Sequence, residues 1–255
     1  MIIFNEYLYV HQIIEDKKKP MNMSMKRLIT YLCKYYYDKC KRGTSEEYYN
    51  LIMNVIDIFH FDKTEFEEYQ YQDFIKKTCD KALSGDLNVK MRNNFELGIT
   101  EEENKFILQA ETAKERKLLF TLYILAKSYV NPTGWVNYND TDIFKLANIS
   151  GTMSERFDIA RSLWDHGLIE VNHMIDMSGY KVCLDEDNKQ NVFSITDFNN
   201  IGNQYLAYIH PDHMVCQRCG KYIKRNSPRQ KYCKACSVAV KREAVERVRE
   251  KCVTV

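Results

Sequence analysis

Cys216-Gln217-Arg218-Cys219, thirteen further residues, then Cys233-Lys234-Ala235-Cys236: around this stretch the 255-residue chain is organised. Each C-x-x-C pair presents two thiolates from one tight turn, so four sulfurs can converge tetrahedrally on a single Zn²⁺ at ~2.3 Å. The usual separation of such pairs is roughly 15 to 20 residues. The shorter gap here still lets a hairpin close. Four of the nine cysteines fall within 216–236. A four-thiolate set leaves no open coordination position, and no water-activating residue lies nearby in sequence, so the expected ion is structural and not catalytic. Disulfides are the alternative, and they need an oxidising compartment.

The flanking residues agree with a finger. Gly220 follows the second cysteine, where a knuckle turn favours φ > 0. Asn226-Ser227-Pro228 has turn chemistry and divides Tyr222-Ile223-Lys224 from Gln230-Lys231-Tyr232, two expected strands of one hairpin. From Ser237 the pattern is helical, with Val238, Val245 and Val248 recurring at helical spacing. A knuckle, a hairpin and a helix carrying the second pair resemble a treble-clef or zinc-ribbon finger, over residues 214–255. His210 and His213 precede it, and either is a possible substitute ligand.

Charge is divided unevenly. The whole chain is at +2, but 12 of its 37 Lys and Arg and only 3 of its 35 acidic residues lie in 216–255, so that segment carries +9 and the remainder −7. A compact basic module suits a polyanion, because phosphate neutralisation releases condensed counterions. The candidate phosphate contacts are Arg218, Lys221, Lys224, Arg225, Arg229, Lys231, Lys241 and Arg242. Nucleic acid is the expected partner, with DNA favoured.

The 45% apolar and 28% charged fractions are those of globular protein. Met1-Ile2-Ile3-Phe4 has no basic residues before it and no small-residue cleavage site after it, which argues against a signal peptide. No apolar run approaches the ~20 residues of a membrane helix. With Cys33, Cys40, Cys79 and Cys183 scattered, a reducing cytoplasm is expected.

The amino-terminal residues 1–95 read as a helical domain. Met1 to Val10 looks β-rich, and Lys17-Lys18-Lys19-Pro20 ends it. A helix from about Met23 places Leu28, Ile29, Leu32, Tyr35 and Tyr36 at helical spacing, with Lys41-Arg42-Gly43 as its stop. Thr44 to Glu47 opens a second helix with a stripe at Tyr48, Leu51, Ile52, Val55, Ile56 and Phe59. A third follows Lys63-Thr64 through Phe66, Tyr69, Phe74, Ile75, Cys79 and Leu83. Tyr35, Tyr36 and Tyr37 beside Lys34 and Lys39 could stack on bases. Three consecutive residues of a helix point three ways, however, which favours core packing. His11 and His60 have no partner at ligand spacing.

Asn88 to Leu97 reads as a domain boundary, where Asn93-Asn94 and the Gly98 that follows suggest loop. Thr100 with Glu103 matches a capping box and opens a long helical region through Ala126, ending at Asn131-Pro132-Thr133-Gly134. Trp135-Val136-Asn137 is a short strand, and Asp140 or Thr141 caps a short helix. Thr152 with Glu155 opens another, holding Phe157, Ala160, Leu163 and Trp164. Leu168 to Val171 and Tyr180 to Leu184 pair around Ser178-Gly179, and Val192 to Ile195 is a further strand. A last helix spans Ile201 to Ile209. This order, with "SLWDHGLIEV" at 162–171 entering the ribbon, resembles a winged-helix domain over residues 100–209. The resemblance implies DNA binding through the third helix, but its outward positions, Ser154, Glu155, Asp158, Arg161, Ser162 and Asp165, hold three acids and one arginine. Asp185-Glu186-Asp187 adds more negative charge, so a protein partner through this acidic surface is the alternative.

The fold class expected is mainly α with small β: a helical domain, a winged helix and a zinc finger. Residues 112–242 together resemble proteins of phages and mobile elements of Gram-positive bacteria, which places the chain in a bacterial or phage-infected cytoplasm. No phosphate-binding glycine loop, G-x-S-x-G or H-E-x-x-H occurs, and no H-x-E accompanies the cysteines. The expectation is a non-enzymatic DNA-binding regulatory or replication-accessory protein with one structural Zn²⁺, or else an adaptor or inhibitor of host machinery. Oligomeric state is left open.

Overall fold

The computed structural model describes residues 2–20, 23–40, 43–59, 68–172, 179–185 and 190–253. Lys41-Arg42, His60, Lys63-Thr64, Phe66, Ser178 and Glu186-Asp187 lie outside the described residues. Among the described residues, ten helices and three small antiparallel sheets make the chain mainly α. Among the described residues no helix is long and apolar enough to cross a membrane. The chain divides into two compact units, Met1–Phe95 with Ser128–Asn131, and Glu96–Lys127 with Pro132–Val255.

The first unit holds α1 (Glu6–Ile14), α2 (Met25–Lys39), α3 (Ser45–Ile58) and α4 (Glu68–Ser84). The stripe of α2 is buried as expected, Tyr35 and Tyr36 included, and packs with Tyr48, Ile52 and Val55 of α3 and Ile75 and Cys79 of α4. Both N-termini are set locally. The Ser24 side chain accepts from Arg27 N, and Thr44 and Glu47 form a reciprocal capping box.

The start of the chain corrects the β-rich expectation for Met1 to Val10. Asn5 caps a helix there, its side chain accepting from Leu8 N at 2.7 Å. Glu6, Val10 and Ile13 then share one buried face at spacings of four and three. Glu6 Oε1 accepts from Arg92 Nε at 2.8 Å and Nη2 at 2.6 Å, and Oε2 accepts from the Arg92 backbone N–H at 3.2 Å. A partner 86 residues away thus makes the buried carboxylate tolerable. Alternation of apolar residues carried no sign of it.

The second unit is built on α6 (Ala113–Lys127), whose residues from Leu118 to Ala126 are all buried. Around it stand α5 (Glu101–Ile107), α7 (Asp140–Leu146), α8 (Met153–Asp165) and α9 (Ile201–Ile209). The long helical region expected from Thr100 to Ala126 is two helices. Thr112 Oγ1 accepts from Glu115 N at 3.2 Å, and Glu115 Oε2 accepts from Thr112 N at 2.8 Å, so a second capping box restarts the helix. The Thr-x-x-Glu signal was present at 112–115.

Two sheets complete this body. The strand β2 (Trp135–Val136) pairs with β4 (Tyr180–Lys181), which pairs in turn with β3 (Glu170–Val171). The residues read as a loop around Gly98 form β1 (Leu97–Ile99), antiparallel to β5 (Phe193–Ile195) with Leu97 opposite Ile195. A three-residue strand has no readable period. Its partner, nearly a hundred residues on, defines it.

Candidate metal centre and its basic surface

The finger begins earlier than its first cysteine. His213–Val215 is a strand, β6, antiparallel to β7 (Tyr222–Lys224), with Val215 opposite Tyr222 and Met214 opposite Ile223. This corrects the hairpin expected between Tyr222–Lys224 and Gln230–Tyr232. The reversal occurs at the cysteine knuckle: Gly220 N donates to Cys216 O and Cys216 N to Lys221 O, both at 2.9 Å. Gly220 has φ +67, which a glycine adopts without strain. Lys231 gives its carbonyl to Gln217 N at 3.0 Å instead of pairing with β7.

The second pair sits where α10 (Lys234–Val253) begins, with Cys233 just before it and Cys236 in its first turn. One Sγ from each of Cys216, Cys219, Cys233 and Cys236 lies within 4.8 Å of all the others. The Cys219 and Cys233 sulfurs are 3.8 Å apart. A regular tetrahedron with metal–sulfur bonds of ~2.3 Å has edges of about 3.8 Å. The cluster therefore has the dimensions of a thiolate-bound ion, and among the described residues these four are the group that could hold one.

The backbone supports thiolates. Cys233 N donates to Cys216 Sγ at 3.2 Å and Cys236 N to Cys233 Sγ at 3.4 Å. Burial opposes ionisation of Cys216, but N–H groups of Cys233, Cys219 and Arg218 outweigh it and bring its pKa down to about 6. The Cys236 backbone and thiol likewise lower Cys233, whereas hydrogen bonding to Cys233 pushes Cys236 up to about 12. A bound cation would displace the shared protons. His213 takes no part. Its ring stacks on Tyr222 at 4.7 Å and its Nδ1 lies 2.8 Å from Asp212 Oδ1.

The knuckle is bonded to the helical body. Asn203 Nδ2 of α9 donates to Gly220 O at 2.8 Å. Asn148 Nδ2 donates to Asn200 Oδ1 at 3.1 Å, and Asn148 Oδ1 accepts from Asn203 N at 3.3 Å. A Cβ on Gly220 would collide with the Asn200 carboxamide. No motif announces this asparagine network, since its members are ordinary loop and helix-start residues in sequence.

Of the eight basic residues singled out, Arg218 is engaged, with its Nη2 2.6 Å from Glu243 Oε1 of α10. Lys221, Lys224, Arg225, Arg229, Lys231, Lys241 and Arg242 are exposed. Among the described residues none of these seven forms an ion pair. Five lie on β7, its flanks and the turn after it, and two on α10.

The α8 surface departs from expectation in its apolar residues. Ser154, Glu155, Asp158, Arg161 and Asp165 are exposed, while Ser162 is half-buried and donates to Glu115 Oε1 at 2.8 Å. Phe157 and Trp164, absent from the outward positions expected, are 64% and 44% exposed, beside Met153 at 83%. The inward face consists of Arg156, Ile159, Ala160 and Leu163, with Arg156 over the Phe144 ring. Two adjacent stripes of α8 satisfy a helical period, and packing on α6 selected the smaller one.

No protein-family model matches the chain, and no curated protein or solved structure matches it with significance.

Proposed function

We propose that the protein is a non-enzymatic nucleic-acid-binding protein, with DNA favoured, of regulatory or replication-accessory type. Residues 214–255 act as a zinc finger whose four cysteines hold one structural Zn²⁺ and whose surface contacts phosphates. The carrying observation is the set of seven exposed cations, with no ion pair among the described residues, on a segment at +9. Cations already neutralised by carboxylates would release few counterions; these are available to do so. Zinc suits the set because it accepts tetrahedral thiolate coordination with no redox chemistry.

The order α6, β2, α7, α8, β3, β4, with β2 at the edge of the β2-β4-β3 sheet, supports a winged-helix reading of residues 100–209. The location consistent with this reading is the cytoplasm of a bacterium or phage-infected cell. A second reading, an adaptor or inhibitor acting on another protein, is favoured by α8, where exposed Met153, Phe157 and Trp164 stand beside Asp158 and Asp165. Such a face repels phosphate and attracts protein.

Affinity for a DNA duplex, measured against salt, tests the first reading. Changing Lys224, Arg225 and Arg229 together to Ala is expected to weaken binding at least tenfold and to flatten the salt slope by about 3, one unit for each phosphate contact. Unchanged affinity, or no binding at low salt by the unaltered protein, rejects it.

A further inference from the structure

An aromatic series runs from the core of the second unit to its surface. Phe120 and Tyr205 are buried and stack at 4.6 Å, and Phe193 of β5 stacks on Tyr208 of α9 at 4.3 Å with the ring planes 15° apart. Phe193 joins the two pairs, lying 5.6 Å from Phe120 and 6.3 Å from Tyr205. The series ends at Tyr208, which is 37% exposed. There it borders a cavity of about 390 Å³, within the range of small-ligand pockets. Phe193 and Tyr208 line this cavity from the helical body, while His213, Gln217, Arg225 and Gln230 line it from the finger.

The polar groups at the cavity suit a base and the strand that carries it. Gln230 is fixed, its Oε1 accepting from Asn226 N at 2.7 Å and its Nε2 donating to Tyr232 O at 3.0 Å. Gln217 is exposed, and among the described residues its carboxamide forms no hydrogen bond, so its donors and acceptor are open to a ligand. Arg225 brings a full positive charge to the lining, and exposed Lys224, Arg229 and Lys231 adjoin Arg225 and Gln230 in the chain. Two carboxylates lie near lining residues in sequence, and both are engaged. Asp212 Oδ1 is 2.8 Å from His213 Nδ1, and Asp197 Oδ1 accepts from Asn199 N and Nδ2 at 3.0 and 2.7 Å. A stacking ring, an open amide and neighbouring cations match the face, edge and phosphate of a nucleotide in a single strand.

We propose, resting on the nucleic-acid reading above, that this cavity takes one unstacked nucleobase and that the protein therefore prefers single-stranded DNA to duplex. Tyr208 is the stacking platform, Gln217 meets the base edge, and Arg225 with its neighbours holds the adjoining phosphates. Phosphate contacts alone favour the duplex, which carries the denser charge. A preference for the single strand must then come from the bases, whose faces a duplex keeps covered.

The test uses full-length, zinc-loaded protein freed of nucleic acid and three labelled probes of one length: single-stranded DNA, the same strand with its bases removed, and the duplex. Fluorescence anisotropy at one fixed, low salt concentration gives each affinity. The unaltered protein is expected to bind the single strand about fivefold or more tighter than the abasic strand, and tighter than the duplex. Tyr208→Ala is expected to lose that advantage while its abasic and duplex affinities stay unchanged, and Tyr208→Phe, which keeps the stacking ring, is expected to retain it. Should the alanine variant lose zinc or thermal stability, Tyr208→Leu replaces it, filling the space without a π-face. Equal affinity for the base-bearing and abasic strands, or a duplex bound as tightly as the single strand, overturns the base site and leaves phosphate binding intact. A loss in Tyr208→Ala that falls equally on all three probes also overturns it, marking a structural role. No binding of any probe by the unaltered protein overturns the nucleic-acid reading as well.

Discussion

Asn203 Nδ2 donates to the Gly220 carbonyl at 2.8 Å, joining α9 to the knuckle that carries Cys216 and Cys219. The bond is buried, and Gly220 O faces the helical body. The finger and the body therefore share polar groups that are satisfied only when both are folded.

Replacing Asn203 by Ala leaves the Gly220 carbonyl unpaired. A cost of about 1–3 kcal/mol is expected, read as a lowered denaturation midpoint of the metal-loaded protein. Competition with a chromophoric chelator should show weaker metal retention. Stability and retention equal to those of the unaltered protein would show that the bond does not couple finger and body.

Gly220 and Gly167 separate two effects. Both adopt left-handed backbone, φ +67 and +69, but a Cβ at Gly167 meets nothing within 4 Å, while at Gly220 it meets Asn200. Ala at either position incurs roughly 1–2 kcal/mol of left-handed strain. Gly220→Ala should cost more than Gly167→Ala, the excess reporting the close approach. Equal losses by thermal denaturation would count against the asparagine packing.

Metal analysis is expected to find one zinc per chain, and Cys216→Ser to lower it sharply. Chelation should remove helical ellipticity from α10 and loosen the second unit, because the site is part of that unit. The first unit encloses its own core of α1 to α4 and should retain its transition. Unaltered metal content in the serine variant would remove the basis for a four-cysteine site.

Glu115 links the start of α6 to α8 and supplies a pH dependence. Burial alone would raise its pKa, but the Thr112 backbone N–H and the Ser162 and Thr112 hydroxyls hold it below the usual carboxylate value of 4.5. Its contribution is thus fully present above that value and is lost as pH falls through the depressed native pKa. Glu115→Gln retains a capping shape without the charge. It should lower stability at neutral pH and remove this part of the acid dependence between about pH 5 and 2. Parallel acid-denaturation curves for the two proteins would contradict the assignment.

Much of this chain was legible because the relevant forces act within a few residues. The stripes of α2 and α3 and the boxes at Thr44, Thr100 and Thr152 follow from spacing, and their caps are present. The cysteine pairs meet because a C-x-x-C turn brings two sulfurs to one side whatever surrounds it. Misreadings gathered where a partner is remote. Glu6 finds Arg92, β1 finds β5, and β7 pairs backward across the knuckle with β6 instead of forward with Gln230–Tyr232.

By itself, the sequence determined the ligand-like cysteines, the helix starts and the concentration of positive charge in the last forty residues. All three are properties of composition and short spacing. Tertiary structure alone decided that Arg218 is spent on Glu243, that Asn203 ties the knuckle to α9, and that α8 turns Ala160 and Leu163 inward while leaving Phe157 and Trp164 in solvent. A helical period identifies which residues share a face. Which face is buried depends on the neighbour already in place, here the enclosed helix α6.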